Sequence, residues 1–162
     1  MATTTSGLWY PDGTTPMSII QMIKSAQQSV ETVAGMLAWT AYTPAWTATT
    51  TNPVLGNGAL TGAYARTGKV VHYTILLSPG STTTFGAGTY LFSLPILRKN
   101  AGWGAFGSVY AVVAGAVYTG GAGGQTPTTV AALIGSAFMS PTSPGTFTSG
   151  NRLSFAGTYE AA

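Results

Sequence analysis

No cysteine occurs anywhere in this chain, and charge is almost as scarce. Without thiols there is no disulfide framework and no thiolate metal site. Only Asp12, Glu31 and Glu160 are acidic and His72 is the single histidine. That inventory is too sparse for a clustered metal site within one chain, and it leaves no carboxylate pair close in sequence for glycoside hydrolysis. A Ser-His-Asp arrangement would have to use His72 and Asp12, and no G-x-S-x-G motif accompanies them. The expectation is therefore a chain that is not an enzyme and carries no cofactor and no metal. The six basic residues, Lys24, Arg66, Lys69, Arg98, Lys99 and Arg152, give a net charge of +3 but form no stripe. Nucleic-acid binding is not expected from so scattered a set. Long apolar runs are missing too. The longest, Ala111–Tyr118, is far short of the ~20 residues that span a bilayer, so no membrane insertion is expected. The first residues, MATTTSGLWYPDG, lack the basic and apolar regions of a signal peptide, which points to synthesis in a cytoplasm without export by the usual route.

What remains is apolar and neutral-polar. Of 162 residues, 45% are hydrophobic and only 6% are charged, against about 25% charged in ordinary soluble domains. A chain with so little charge to keep its surface solvated is expected to bury surface against copies of itself or a larger assembly.

Three segments are expected. Residues 1–13 read as an extended docking arm, with Leu8, Trp9 and Tyr10 as apolar anchors and Pro11-Asp12-Gly13 as a turn. Residues 14–37 read as a helix, with Thr15 as N-cap and Pro16 in the first turn. Within it Ile20, Ile23, Gln27, Val30, Ala34 and Leu37 step by three and four, a heptad seam. Such a stripe serves either a lone amphipathic helix laid on its own sheet or a short self-associating bundle. The bundle is the expectation taken forward, with Gln27 as a polar inner position that sets register. From about residue 40 to 162, strand formers alternate with turn signals every 8–12 residues, the pattern of an all-β sandwich or barrel. Strands are expected near Ala45–Thr51, Ala59–Thr67, Lys69–Leu77, Gly88–Leu94, Gly107–Ala114, Val130–Phe138 and Leu153–Tyr159. Along Lys69–Leu77, Val71, Tyr73 and Ile75 face one way, and Val70, His72, Thr74 and Leu76 the other. The Gly-rich stretch Thr119–Thr129 and the Pro-containing stretch Ser140–Gly150 read as exposed loops.

The glycine runs are poor phosphate loops, because Gly120-Gly121-Ala122-Gly123-Gly124 has no following Lys-Ser/Thr. Aromatics among Ser, Gly and Asn suit a surface that grips a polar partner. Trp103, Tyr118, Gly121, Gln125 and Phe147 are the candidate surface contacts on this basis.

The stretch Trp39–Pro95 resembles a module of minor tail, tail-fibre or receptor-binding proteins of actinobacterial phages and prophages. The resemblance lies in Tyr42-Thr43-Pro44-Ala45-Trp46-Thr47, Leu55-Gly56-Asn57-Gly58, Leu60-Thr61-Gly62-Ala63-Tyr64, Gly68-Lys69-Val70-Val71, and Gly80–Gly88 leading to Phe92-Ser93-Leu94-Pro95. It covers about a third of the chain. It implies a mainly β domain, antiparallel and sandwich- or jelly-roll-like, behind a short helix forming a trimeric stem. It also implies a homotrimeric virion protein of the tail, partnered by itself, by other virion proteins and by host cell-wall glycan. Small trimers with a docking arm and a β body also serve as capsid decoration proteins, with residues 1–13 then the anchor to the shell. That is the alternative expectation.

Overall fold

A computed structural model of the chain describes residues 19–36, 38–99, 104–124 and 126–162. The chain divides into two compact units, residues 1–38 and 39–162. The first contains one helix, α1 (Ile19–Met36). Its side chains from Ile20 to Val30 are all exposed, the seam residues Ile20, Ile23, Gln27 and Val30 among them. Ala34 lies in the helix. The expected N-cap at Thr15, Pro16, the seam residue Leu37 and the anchors Leu8, Trp9 and Tyr10 lie outside the described residues.

The second unit is mainly β and wholly antiparallel. Its strands are β1 (Thr40–Tyr42), β2 (Trp46–Ala48), β3 (Ala59–Thr67), β4 (Val70–Ser78), β5 (Tyr90–Ser93), β6 (Ala105–Val113), β7 (Ala116–Gly123), β8 (Thr129–Ile134), β9 (Ala137–Phe138) and β10 (Arg152–Glu160). They form one sheet in the order β1-β3-β4-β10-β6-β7-β8-β5-β2, with β9 turned back on β8. The sheet curls over so that its two ends enclose a core. Phe92 on β5 meets Phe155 on β10 with ring centroids 5.0 Å apart, although three strands, β6, β7 and β8, separate them along the sheet.

Alternation builds this core. Along β4, Val71, Tyr73, Ile75 and Leu77 are buried while Val70, His72, Thr74 and Leu76 are exposed. The period of two sends alternate side chains to opposite faces. Leu153, Phe155 and Tyr159 of β10 and Val109, Ala111 and Val113 of β6 continue the inner face. At the centre the Tyr73 ring lies over two glycines. Gly157 pairs with Tyr73 on one side and with Gly107 on the other. A Cβ on Gly157 would stand 2.8 Å from the Tyr73 ring and 2.7 Å from the Gly107 Cα, and would also strike the Phe106 carbonyl. Glycine here makes room for the ring and for close strand packing.

Most expected strands are found, some shorter or divided. Val130–Phe138 is two strands, β8 and β9, because Gly135 at φ 63° turns the chain between them. The expected loop Thr119–Thr129 is the larger correction, since its first half belongs to β7. A hairpin at Ala114 and Gly115, both at positive φ, returns β6 into β7. The glycines then pack backbone against backbone. A Cβ at Gly120 would collide with the Leu133 carbonyl of the next strand. The run that reads as loop by composition is a strand squeezed between two neighbours. β1, which the sequence pattern did not reveal, pairs with β3 from Thr40↔Tyr64 to Tyr42↔Gly62.

Candidate functional site

The segments of the β unit that bear the phage-module resemblance turn out to hold one another. Asn57 Oδ1 accepts hydrogen bonds from the Thr82 backbone N–H and the Thr82 hydroxyl, both at 3.0 Å, and its Nδ2 donates to Ser81 Oγ at 3.1 Å. The Thr83 hydroxyl, nearly buried, donates to the Leu55 carbonyl at 2.5 Å and accepts from the Gly80 N–H at 2.8 Å. These hydrogen bonds join the loop 55–58 to the loop 80–84. The arrangement fixes backbone and offers little to a ligand.

A second cluster is aromatic, with the Tyr90 hydroxyl donating to the Phe85 carbonyl at 2.9 Å. Trp46 stacks parallel to Phe92 at 6.2 Å, and Phe85 and Tyr90 present edges to it at 6.4 and 5.1 Å. Phe147 joins this cluster, edge-on to Phe85 at 5.7 Å and tilted against Tyr90 at 6.0 Å. It is 2% exposed, so the expectation that Phe147 is a surface contact is corrected. The segment around it doubles back, with the Phe147 N–H bonded to the Pro141 carbonyl at 2.8 Å, and uses the ring as an anchor. Tyr118 is likewise corrected. It lies on β7 opposite Ala111, on the core side, and is half-buried against the core. Gly121, on the same strand, belongs to the outer face. Trp103 and Gln125 lie outside the described residues.

Two hollows flank Phe138. One, of about 90 Å³, is lined by Thr49, Thr89, Leu91, Thr126, Thr129 and Phe138. The other, of about 260 Å³, is lined by glycines of β7, Leu133 and Phe138. Neither has a charged wall. The Thr126 and Thr129 hydroxyls bond each other at 2.5 Å, and Thr49 Oγ1 accepts from the Thr89 N–H at 3.0 Å. Nearby, Arg98 is a residue that sequence reasoning missed. It is 6% exposed, donates through Nη2 to the Gly124 carbonyl at 3.1 Å, and holds its guanidinium 4.7 Å from the Phe106 ring centre. It straps the end of β7 to the barrel wall, a structural use of one of only six basic residues. An apolar neighbour such as Phe106 is compatible with a planar, weakly hydrated cation. The reading of the basic residues as a scattered set gives no sign of this role, because nothing in Leu97-Arg98-Lys99 signals burial.

The outer face of the sheet is a broad exposed surface built by regular structure. Its rows follow the register. Thr61 stands beside Leu76, then Ser154, Tyr110 and Thr119. The next row runs Ala63, Thr74, Ala156, Ser108, Gly121 and Leu133. Leu76, Tyr110 and Val117 are each roughly half exposed. The one histidine lies on this face, with Nδ1 of His72 2.9 Å from the Thr158 hydroxyl. Among the described residues no three His, Cys, Asp or Glu side chains gather in one place. Compared with protein families, with curated proteins and with solved structures, the chain finds no match in any of the three.

Proposed function

We propose that this chain is a non-enzymatic structural protein of a phage virion, a homotrimer joined along α1, acting at the tail where its β unit meets the host surface. The observation that carries the reading is the seam on α1. Ile20, Ile23 and Val30 are 65%, 53% and 69% exposed, on one stripe of a helix of 18 residues. A helix this short is marginal alone in water. Burying an aliphatic side chain in a bundle contributes about 1.5–3 kcal/mol, so three such residues from each chain favour association. Gln27 at an inner position then sets register. The β unit suits a display role because the polar groups of its clasp fix backbone and most outward positions on its strands are uncharged. Host cell-wall glycan is the partner expected from the resemblance to tail modules, and decoration of the capsid is the rival placement.

Light scattering on the purified full chain tests the trimer. A mass that is a multiple of three chains is expected, and a single-chain mass overturns the reading. Sedimentation with purified actinobacterial cell walls tests the tail role. Co-sedimentation is expected. A trimer that ignores walls and, as a gold-labelled probe, coats capsids lacking their decoration protein would place it on the shell instead.

A further inference from the structure

We infer that the outer face of β3, β4, β10, β6 and β7 is covered by a second copy of this chain, packed face to face with the two β10 strands antiparallel. The inference shares with the proposed function only the premise of self-association and stands on different residues.

The face is unusual for a solvated one. A sheet face that meets water ordinarily alternates charged or strongly polar residues with the buried ones. Here the outward positions of β3 are Thr61, Ala63 and Thr67, with Ala65 on the same side but only 7% exposed. Those of β4 are Val70, His72, Thr74 and Leu76, and Ser108, Tyr110 and Val112 continue across β6. Small residues flatten the middle, and Leu76, Tyr110 and Val117 stand out from it at 46%, 48% and 58% exposure.

Its size also fits. Five strands about 4.8 Å apart, with some four outward positions about 7 Å apart on each, make on the order of 600 Å². Two such faces bury about 1,200 Å² in total, the lower bound of a stable protein interface.

Charge then selects the occupant. The outward residues of β10 are Arg152, Ser154, Ala156, Thr158 and Glu160. The strand thus carries a cation at its first residue and an anion at its last, with neither between. Glu160 keeps a second partner in Lys99, whose Nζ lies 2.8 Å from Oε1. A copy turned by a two-fold axis brings its own Glu160 to Arg152 and its Arg152 to Glu160. Such an interface is isologous: each surface is its own complement. Complementary rim charges favour this register over the parallel one, which sets like charges together.

The test uses the full chain with the helix seam disabled by Ile23→Lys and Val30→Lys, and circular dichroism as the check on folding. In this background the mass is expected to be that of two chains. Adding Leu76→Lys and Tyr110→Lys, both at exposed positions, is expected to halve it. Charge provides a second arm that leaves the apolar residues untouched. Arg152→Glu alone, or Glu160→Lys alone, is expected to give single chains. Equal mixing of the two is expected to restore a two-chain mass, because each variant then offers the charge its partner lacks. A single-chain mass for the seam variant overturns the inference, as does a two-chain mass indifferent to Leu76→Lys and Tyr110→Lys. Mixing that restores nothing overturns the antiparallel register. With the seam intact, the face variants report on the stem separately: three chains are expected, and a single chain would sink the trimer while leaving this test standing.

Discussion

Replacing Gly157 by alanine adds one methyl group at a crowded point of the sheet, and the structure says what it must cost. The new Cβ would lie 2.7 Å from the Gly107 Cα and 2.8 Å from a ring carbon of Tyr73, and would strike the Phe106 carbonyl as well. Two of these three neighbours are backbone in an adjacent strand and cannot swing away. The third is a ring that is 1% exposed, itself wedged against Phe106 at 6.0 Å and Tyr159 at 5.7 Å. Overpacking a tight core costs about 1–3 kcal/mol, and with rigid neighbours on both sides the upper part of that range applies. For a unit of roughly 120 residues the unfolding entropy is about 0.25 kcal/mol/K, so a loss of ~3 kcal/mol lowers Tm by about 12 °C. Gly121→Ala is the control. Nothing lies within 4 Å of its Cβ, and alanine restricts the unfolded chain, so that variant is expected within about 1 kcal/mol of the parent and on the stable side. Scanning calorimetry or thermal circular dichroism of both variants decides. If Gly157→Ala melts within about 2 °C of Gly121→Ala, the account of the central glycines is wrong.

Two further outcomes follow from the same packing. Thr83→Val keeps the side-chain shape but removes the acceptor for the Gly80 N–H. The Leu55 carbonyl retains the Gly58 N–H at 3.0 Å, so the loss comes mainly from one stranded donor and should be about 1–3 kcal/mol in urea unfolding, with Thr83→Ser close to the parent. The tyrosines predict the alkaline limit. Burial pushes the Tyr159 phenol up to about 12, against the smaller opposing effect of the Ile96 backbone N–H that donates to its oxygen at 3.2 Å, and burial raises Tyr42, Tyr73 and Tyr90 as well. In the unfolded chain these groups ionise near about 10. Above that pH the unfolded state has released protons that the folded state keeps, so the stability they contribute is intact below about 10 and is lost as pH rises toward 12. The urea midpoint should fall across that window while tyrosinate absorbance of these four lags. Complete ionisation near 10 with an unchanged midpoint would contradict it.

How much of this was legible depended on whether a residue's neighbours in sequence were also its neighbours in space. β4 could be read outright, since Val71, Tyr73 and Ile75 alternate with His72 and Thr74 and the burial follows the alternation. The mainly β, antiparallel character followed from the same pattern repeated along the chain. β7 could not be read, because Gly120, Gly121, Gly123 and Gly124 signal a loop to any local rule. Gly120 is required by the Leu133 carbonyl on one neighbour, Gly123 sits close to the Gly104 carbonyl on the other side, and Gly124 is required by the Thr129 carbonyl, contacts that local sequence does not contain. Phe147 failed in the opposite sense. Its Ser, Pro and Gly neighbours do make an irregular segment, and the ring is what pins that segment to Phe85 and Tyr90. A lone large aromatic in a small-residue loop is a signal for an anchor that composition alone had assigned to the surface.

The same distinction bears on what the tail-module resemblance can carry. Its most specific residues, Leu55-Gly56-Asn57-Gly58 and Gly80–Gly88, form the clasp around Asn57, Thr82 and Thr83 and the seat for Phe85 beside Trp46. Those roles are architectural: they join two loops and close the core beneath. A sequence can keep every one of them while its outward residues change freely, because outward positions on β4, β10 and β6 alternate with the buried ones and contribute nothing to the clasp. Under the two proposals above, partner choice in this chain lies in residues that the resemblance does not constrain. These are the seam Ile20, Ile23 and Val30, the face around Leu76 and Tyr110, and the opposed charges of Arg152 and Glu160. Substitutions there should change the assembled mass and, where assembly is lost, remove the dependence of Tm on protein concentration, and substitutions in the clasp should lower Tm without changing the register of assembly.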